Sequence, residues 1–100
     1  MAGSLWRQRL DSPVAVQLTD GPGYDYQPDW SPDGRSIVYV TYRDGALELA
    51  LLDVASGRSR LLTQGRAVNV EPRWSPDGRR VAWVSTAFNR RLHVFAAEVG

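Results

Sequence analysis

The sequence predicts an all-β protein built from repeated units of four strands. Short apolar segments alternate with turn segments rich in Gly, Pro, Asp and Ser, which is typical of antiparallel strands joined by tight turns. Eleven residues between Leu18 and Val40 recur 44 positions further along the chain. A period of about 40 to 45 residues indicates a propeller or another repeat array, in which each unit buries its apolar faces against its neighbours. The recurring pairs are Leu18/Leu62, Thr19/Thr63, Gly21/Gly65, Pro28/Pro72, Trp30/Trp74, Ser31/Ser75, Pro32/Pro76, Asp33/Asp77, Gly34/Gly78, Arg35/Arg79 and Val40/Val84.

The first unit follows a strand at residues 14–19, which Gly21-Pro22-Gly23 ends. Ser31-Pro32-Asp33-Gly34 predicts a tight turn, because Pro presets φ, the Asp side chain bonds the backbone ahead of it and Gly accepts positive φ. The apolar run at residues 37–40 predicts a central strand buried on both faces, and Asp44-Gly45 is a hairpin signal. The four strands of this unit are therefore predicted at residues 24–30, 36–42, 47–53 and 59–63.

The second unit repeats this order with three strands, predicted at residues 70–74, 80–85 and 92–98. No strand equivalent to residues 59–63 follows Gly100. The copy also departs from the first one, since Phe88-Asn89-Arg90-Arg91 replaces the Asp-Gly hairpin and Ala96 or Ala97 stands where the first unit has Asp53.

Composition excludes several classes of protein. The chain has 100 residues, 43% of them hydrophobic, and its formal net charge is +1. No apolar run approaches the roughly 18 residues that a membrane span needs, and the basic footprint of a nucleic-acid binder is missing. Because the chain has no Cys, disulfides and thiol chemistry are excluded.

The pattern Pro-x-Trp-Ser-Pro-Asp-Gly-Arg, followed by an apolar strand, a strand with an Asp near its end and a closing Leu-Thr, resembles the blade repeat of TolB-like β-propellers. The resemblance implies four-stranded antiparallel blades around a central channel, usually six or more of them. It makes residues 25–30 and 69–74 the innermost strands, which line the channel. It also suggests a periplasmic location, although no signal peptide is visible and a cytoplasmic location stays open.

Counting strands suggests how two blades could be completed. We expect residues 1–13 to be an extension or the remnant of a preceding blade, 14–63 a closing strand plus the first blade, and 64–100 a second blade without its closing strand. A closing strand supplied by another copy would join three or four chains into a six- or eight-bladed ring. Alternatively, residues 5–10 align with residues 49–54 at the same offset of 44, which favours a piece of a longer propeller.

One group of polar residues is a candidate binding site, because the inner strands converge on the channel. Solvent-facing polarity of these strands is the competing interpretation. We expect a protein or peptide partner to contact these side chains, which are Asp25, Gln27, Asp29, Asn69, Glu71 and Arg73.

Structural roles account better for the other conspicuous residues. Asp33 and Asp77 are expected to cap turns, and Trp30 and Trp74 to pack between blades. The single histidine, His93, has no partner at ligand spacing. The doublets Arg79-Arg80 and Arg90-Arg91 fit an exposed surface better than a phosphate site. No metal or cofactor is therefore expected.

The leading hypothesis for function is a non-catalytic propeller scaffold that binds a protein or peptide, with further copies of itself as the other partner. Two alternatives stay open: a fragment of the propeller domain of a larger hydrolase of the amidohydrolase or prolyl-oligopeptidase type, and a propeller that binds a small ligand or carbohydrate. The chain itself carries no catalytic motif of either hydrolase class. Neither nucleic-acid binding nor membrane insertion is expected.

Overall fold

The computed structural model of the chain describes residues 3–8, 15–19, 24–43 and 45–99. These residues form nine strands in three antiparallel sheets, which confirms the predicted all-β propeller blades. The described residues contain no helix that is long and apolar enough to span a membrane. The strands are β1 (Trp6–Gln8), β2 (Ala15–Gln17), β3 (Asp25–Trp30), β4 (Ser36–Arg43), β5 (Ala46–Asp53), β6 (Ser59–Leu61), β7 (Asn69–Trp74), β8 (Arg80–Ser85) and β9 (His93–Glu98).

The central sheet is the four-stranded blade that the sequence predicts. Its strands follow one another in the order β3-β4-β5-β6, each antiparallel to the next. Gly34 and Gly45 have φ of 73° and 83°, a left-handed conformation that Gly adopts at little cost. Both turns that flank β4 therefore depend on a glycine. Asp44 and the predicted turn at residues 21–23 lie outside the described residues.

Strand β4 is buried on both faces. Ile37, Val38, Tyr39 and Val40 are 1%, 0%, 2% and 0% exposed, as the continuous apolar run predicts. Ile37 and Tyr39 belong to a core cluster with Leu5, Ala50 and Leu52, against which Leu18, Val54 and Leu61 also pack. Strand β7 contacts β3, β4 and β5, so the central sheet lies between elements of the two flanking sheets.

The third sheet has three described strands in the order β7-β8-β9. Residues 86–92 connect β8 to β9, where the first blade has a tight hairpin. Asn89 and Arg90 in this connection have φ of 50° and 60°, so the replacement of the Asp-Gly signal produces a longer loop with two non-glycine residues in the left-handed region.

The first sheet is formed by the N-terminal part of the chain. Strand β2, within the predicted closing strand at residues 14–19, pairs with β1 of the same chain. The Leu5 amide donates to Thr19 Oγ1 at 2.9 Å, and 44 residues later the Leu49 amide donates to Thr63 Oγ1 at 3.0 Å. Strands β1 and β2 thus repeat the pairing of β5 and the segment that follows it. The domain boundaries proposed above stay a prediction, and so does assembly by strand exchange.

Candidate functional site

Both innermost strands contain a β-bulge at the same place in the repeat. In β3, the three steps from Tyr26 to Asp29 lie opposite the two steps from Val40 to Val38 of β4. The same shift occurs in β7. The inserted residues have positive φ, 51° at Gln27 and 56° at Glu71, although neither is a glycine.

The bulges divide the predicted polar group between two faces. Asp25 pairs with Thr41 and Asp29 pairs with Val38. Thr41 and Val38 are three residues apart in the regular strand β4 and point to opposite faces, so their partners Asp25 and Asp29 lie on opposite faces of the central sheet. Asn69, opposite Ser85, and Arg73, opposite Ala82, are separated in the same way. The six side chains of the predicted group therefore do not all lie on one face of their sheets.

Two members of the group connect β3 to β7. Gln27 Oε1 accepts a hydrogen bond from the Glu71 amide at 2.8 Å. Asp29 Oδ2 accepts one from the Trp74 amide at 2.8 Å, and the Trp74 indole Nε1 donates to the Asp29 carbonyl at 3.0 Å. These bonds hold neighbouring inner strands together, so Gln27 and Asp29 have a structural role whatever else they contact.

Asn69 is engaged in a buried network with a carboxylate that the sequence analysis missed. Its Nδ2 donates to the Leu47 carbonyl at 3.0 Å and to Glu48 Oε1 at 3.1 Å, and its Oδ1 accepts from Trp83 Nε1 at 3.1 Å. Glu48 is only 5% exposed and also accepts from Thr63 Oγ1 at 2.8 Å and from the Arg66 amide at 3.2 Å. A lone charge in the apolar segment 46–52 was the available signal, since a buried charge has to be paired.

Three members of the predicted group have exposed side chains: Gln27, Glu71 and Arg73. Asp29 is half-buried, and Asp25 and Asn69 are buried. The exposed subset lies at or beside the two bulges and mixes one amide, one carboxylate and one guanidinium. Such a surface can offer hydrogen bonds of both polarities to a partner. The assignment of all six residues to a binding site stays a prediction.

The two Ser-Pro-Asp-Gly turns have the predicted structural role. Asp33 Oδ1 accepts from Ser31 Oγ at 2.6 Å and from the Arg35 amide at 2.9 Å, and Asp77 repeats this with Ser75 and the Arg79 amide. The serine hydroxyl bond is the main reason why the pKa of each Asp lies below its ordinary value. Both carboxylates are thus occupied as caps.

The remaining conspicuous residues lie away from the inner strands. His93 is exposed at the start of β9, where its Nε2 is 3.0 Å from Asn89 Oδ1 and its ring contacts Phe88 edge to face. Neither neighbour is a nucleophile or a carboxylate. Arg80 forms an exposed ion pair with Glu98 at 3.8 Å. Among the described residues, no group of three or more His, Cys, Asp or Glu side chains is placed to hold a metal ion.

The repeat, the bulged inner strands and the three sheets agree with the comparison to known families. The profile described as TolB beta propeller domain matches residues 2–96. The chain belongs to this family.

Relatives and solved structures agree with that assignment. The chain is 34% identical over 59 residues to the Tol-Pal system protein TolB of Xylella fastidiosa, with 48% of this chain and 13% of that protein covered. It is 32% identical over 56 residues to the TolB homolog of Chlorobium luteolum, with 56% and 13% covered. The chain therefore spans about an eighth of the length of these relatives.

Two solved structures share the fold over almost the whole chain. A putative TolB from Agrobacterium tumefaciens superposes with a TM-score of 0.83 at 27% identity, covering 95% of this chain and 34% of that one. TolB from Acinetobacter baumannii gives a TM-score of 0.87 at 22% identity, covering 97% and 24%. The latter likeness shows the fold alone.

Proposed function

We propose that the chain is a non-catalytic propeller module that binds a protein or peptide partner through the exposed side chains at its inner-strand bulges. These side chains are Gln27, Glu71 and Arg73. Asp29, Asn69 and Asp25 belong to the wider candidate group but are half-buried or buried. The relatives are named as proteins of the Tol-Pal system, which supports a protein as the kind of partner.

The observation that carries the proposal is the positive φ of two non-glycine residues, Gln27 and Glu71, at equivalent positions of the inner strands. A non-glycine residue in the left-handed region costs roughly 1–2 kcal/mol, and such strain concentrates at functional sites. Bulges also redirect side chains, which is why they are common beside binding sites. Glu71 combines positive φ with an exposed carboxylate next to Arg73, so the strained position presents a charge to solvent.

The experiment is a selection of peptide binders from a display library, followed by titration against charge-reversed variants. Glu71→Arg and Arg73→Glu are each expected to weaken binding by about tenfold. The melting temperature should change little, since both side chains are exposed. Arg79→Glu is the matched control, because Arg79 is an exposed arginine directly before β8, outside the two bulges.

Binders that bind both charge-reversed variants as tightly as they bind the control variant would contradict the proposed surface. Binding should depend only modestly on salt, because the surface carries both signs of charge.

We further propose a periplasmic location, as the family resemblance implies. Fractionation of cells that express the full-length protein tests this directly.

The hydrolase-fragment and carbohydrate-binding alternatives have weaker support. His93, the single histidine of the chain, lies on β9, which is separated from the inner strand β7 by β8. General acid–base or nucleophilic catalysis needs a nucleophile, a base and an orienting group within hydrogen-bond reach. Assays with ester, peptide and amide substrates should therefore give no turnover by the purified chain.

A further inference from the structure

The connection between β8 and β9 contains a tight turn with a defined backbone. The Arg91 amide donates to the Phe88 carbonyl at 3.4 Å, and the two residues between them, Asn89 and Arg90, have φ of 50° and 60°. Positive φ at both central residues is the pattern of a type I′ turn, whose twist matches that of the two strands of a hairpin. Residues 88–91 therefore form one ordered unit, the β8–β9 turn.

Side-chain contacts attach this turn to β9. Asn89 Oδ1 accepts from the Arg91 amide at 3.3 Å and lies 3.0 Å from His93 Nε2. The Phe88 ring also contacts the His93 ring edge to face, with the ring centroids 5.6 Å apart. Neither guanidinium group of the turn takes part in these contacts. The turn is thus held by its other side chains, and its two arginines are presented from an ordered backbone.

One of these arginines occupies a position that favours glycine. In a type I′ turn the second central residue is typically Gly, which adopts positive φ without the steric cost of a Cβ. The turn before β5 follows this preference with Gly45, whose φ is 83°. Arg90 does not, although Asn89 before it is a usual residue for such a turn. A strained non-glycine residue of this kind is a feature of functional sites.

The part of the chain that includes the turn carries one sign of charge. Residues 78–97 contain four arginines and no Asp or Glu, whereas the other residues include eight arginines and eleven acidic residues. Arg90 and Arg91 are exposed, and Phe88 beside them is 64% exposed. Arginine and aromatic side chains are enriched where proteins bind partners, and a guanidinium group matches the geometry of a carboxylate. The surface is therefore complementary to an acidic partner with apolar side chains.

We propose that the β8–β9 turn docks an acidic, extended segment of a partner protein. Carboxylates of this segment would accept hydrogen bonds from Arg90 and Arg91, and an apolar side chain would pack on Phe88. A lipid surface fits less well, because two arginines and one aromatic ring give only weak binding to an anionic bilayer. The proposal is independent of the partner surface at the bulges, which lie in β3 and β7.

The test is a titration of the isotope-labelled chain with a short capped peptide of alternating Glu and Leu, followed by backbone amide NMR shifts. We expect shifts at residues 86–94 and a dissociation constant of about 1 mM or tighter. The same peptide with Gln in place of Glu should bind at least tenfold more weakly, and a peptide with Lys should not bind. Rising salt should weaken binding clearly, because exposed charges of opposite sign meet, in contrast to the modest salt dependence expected at the bulges.

Two variants separate binding from folding. Arg90→Gly and Arg91→Gln are each expected to weaken binding of the glutamate peptide by about tenfold. Arg90→Gly should at the same time raise the melting temperature, because glycine relieves the cost of positive φ, so its loss of binding cannot come from loss of the fold. Arg58→Gln, which removes an exposed arginine between β5 and β6, is the matched control and should bind like the wild type.

Three results would overturn the proposal. The first is no binding of the glutamate peptide to the wild type, or binding that both arginine variants retain in full. The second is binding of phosphatidylglycerol vesicles without binding of the peptide, which would make the partner a lipid surface. The third is a set of peptide-induced shifts at residues 27 and 71–73 in place of residues 86–94, which would assign the peptide to the bulges.

Discussion

Identical residues at equivalent positions of the repeat have different environments. The sequence predicts the same packing for Trp30 and Trp74, but Trp30 is 43% exposed whereas Trp74 is half-buried and donates its indole hydrogen to Asp29. The difference arises because Trp74 lies against the inner strand β3. The corresponding neighbour of Trp30 would be an inner strand of a preceding blade, which is not among the described strands.

Alanine substitution should therefore separate the two tryptophans. Trp74→Ala is expected to lower the free energy of unfolding by about 2–3 kcal/mol, through lost packing and an unsatisfied Asp29 carbonyl. Trp30→Ala should cost less than about 1 kcal/mol, as changes at exposed positions do. Urea denaturation of the two variants and the parent measures both values. Equal losses would show that Trp30 is covered in solution, for instance by another copy of the chain.

At the scale of single residues, the sequence predicts the roles of turn residues better than those of strand residues. The Asp33 and Asp77 caps follow from local chemistry within a few positions, and local chemistry is what a sequence displays directly. The side-chain directions of Asp25 and Asp29 depend on a bulge, which one inserted residue produces and which reverses every later position. Pro28 and Pro72 were the available signal, because proline within a strand is confined to edges and bulges.

Among the elements, the inner strands β3 and β7 combine a conformational cost with an interaction between blades. Gln27 and Glu71 both have positive φ. The Gln27 side chain also bonds to the neighbouring inner strand, because its Oε1 accepts from the Glu71 backbone amide. The same substitution at the two positions can therefore separate strain from hydrogen bonding.

Glycine substitutions at the two bulges are expected to act in different directions. Glu71→Gly should raise the free energy of unfolding by up to about 1 kcal/mol, because Gly adopts positive φ without the steric cost of a Cβ. Gln27→Gly gains the same relief but loses the bond to the Glu71 amide, worth about 1 kcal/mol, so little net change is expected. Thermal and urea unfolding of both variants provide the comparison. A larger gain at Gln27 than at Glu71 would contradict the bridging role of its amide.

At the level of elements, the order and the bounds of the strands were predictable. The alternation of apolar and polar residues and the turn residues occur in two copies, so each copy supports the interpretation of the other. The pairing of β1 with β2 was only one of the alternatives that the sequence left open, through the alignment of residues 5–10 with residues 49–54. Its strands are only three residues long, and the segment that contains β1 shares few residue types with its counterpart in the first blade. What identifies it in the structure is the repeated amide-to-threonine bond, which requires three-dimensional geometry.

For the whole molecule, exposed surface is the main argument for association. Val94 on β9 is 78% exposed and Leu92 just before it is 61% exposed. This exposed apolar surface lies at the outer strand of the third sheet, and exposed apolar patches of this kind favour association.

We therefore expect the chain to associate, and light scattering coupled to size exclusion should give a mass that is a multiple of 11.1 kDa, with three or four copies favoured.

Strand exchange can be tested separately because the chain has no native cysteine. Leu61 pairs with Ala50 in the central sheet, and the repeat equivalents of that pair are Gln17 of one copy and Val94 of the next. Within the chain, Gln17 of β2 pairs with Trp6 of β1. If β2 instead separates from β1 and pairs with β9 of a neighbouring copy, a mixture of the Gln17→Cys and Val94→Cys variants should form disulfide-linked dimers. Ser56→Cys, on an exposed turn, is the control for random collision. Association without the specific cross-link would mean that sheet faces meet while β2 stays on β1, and a folded monomer at micromolar concentration would contradict association altogether.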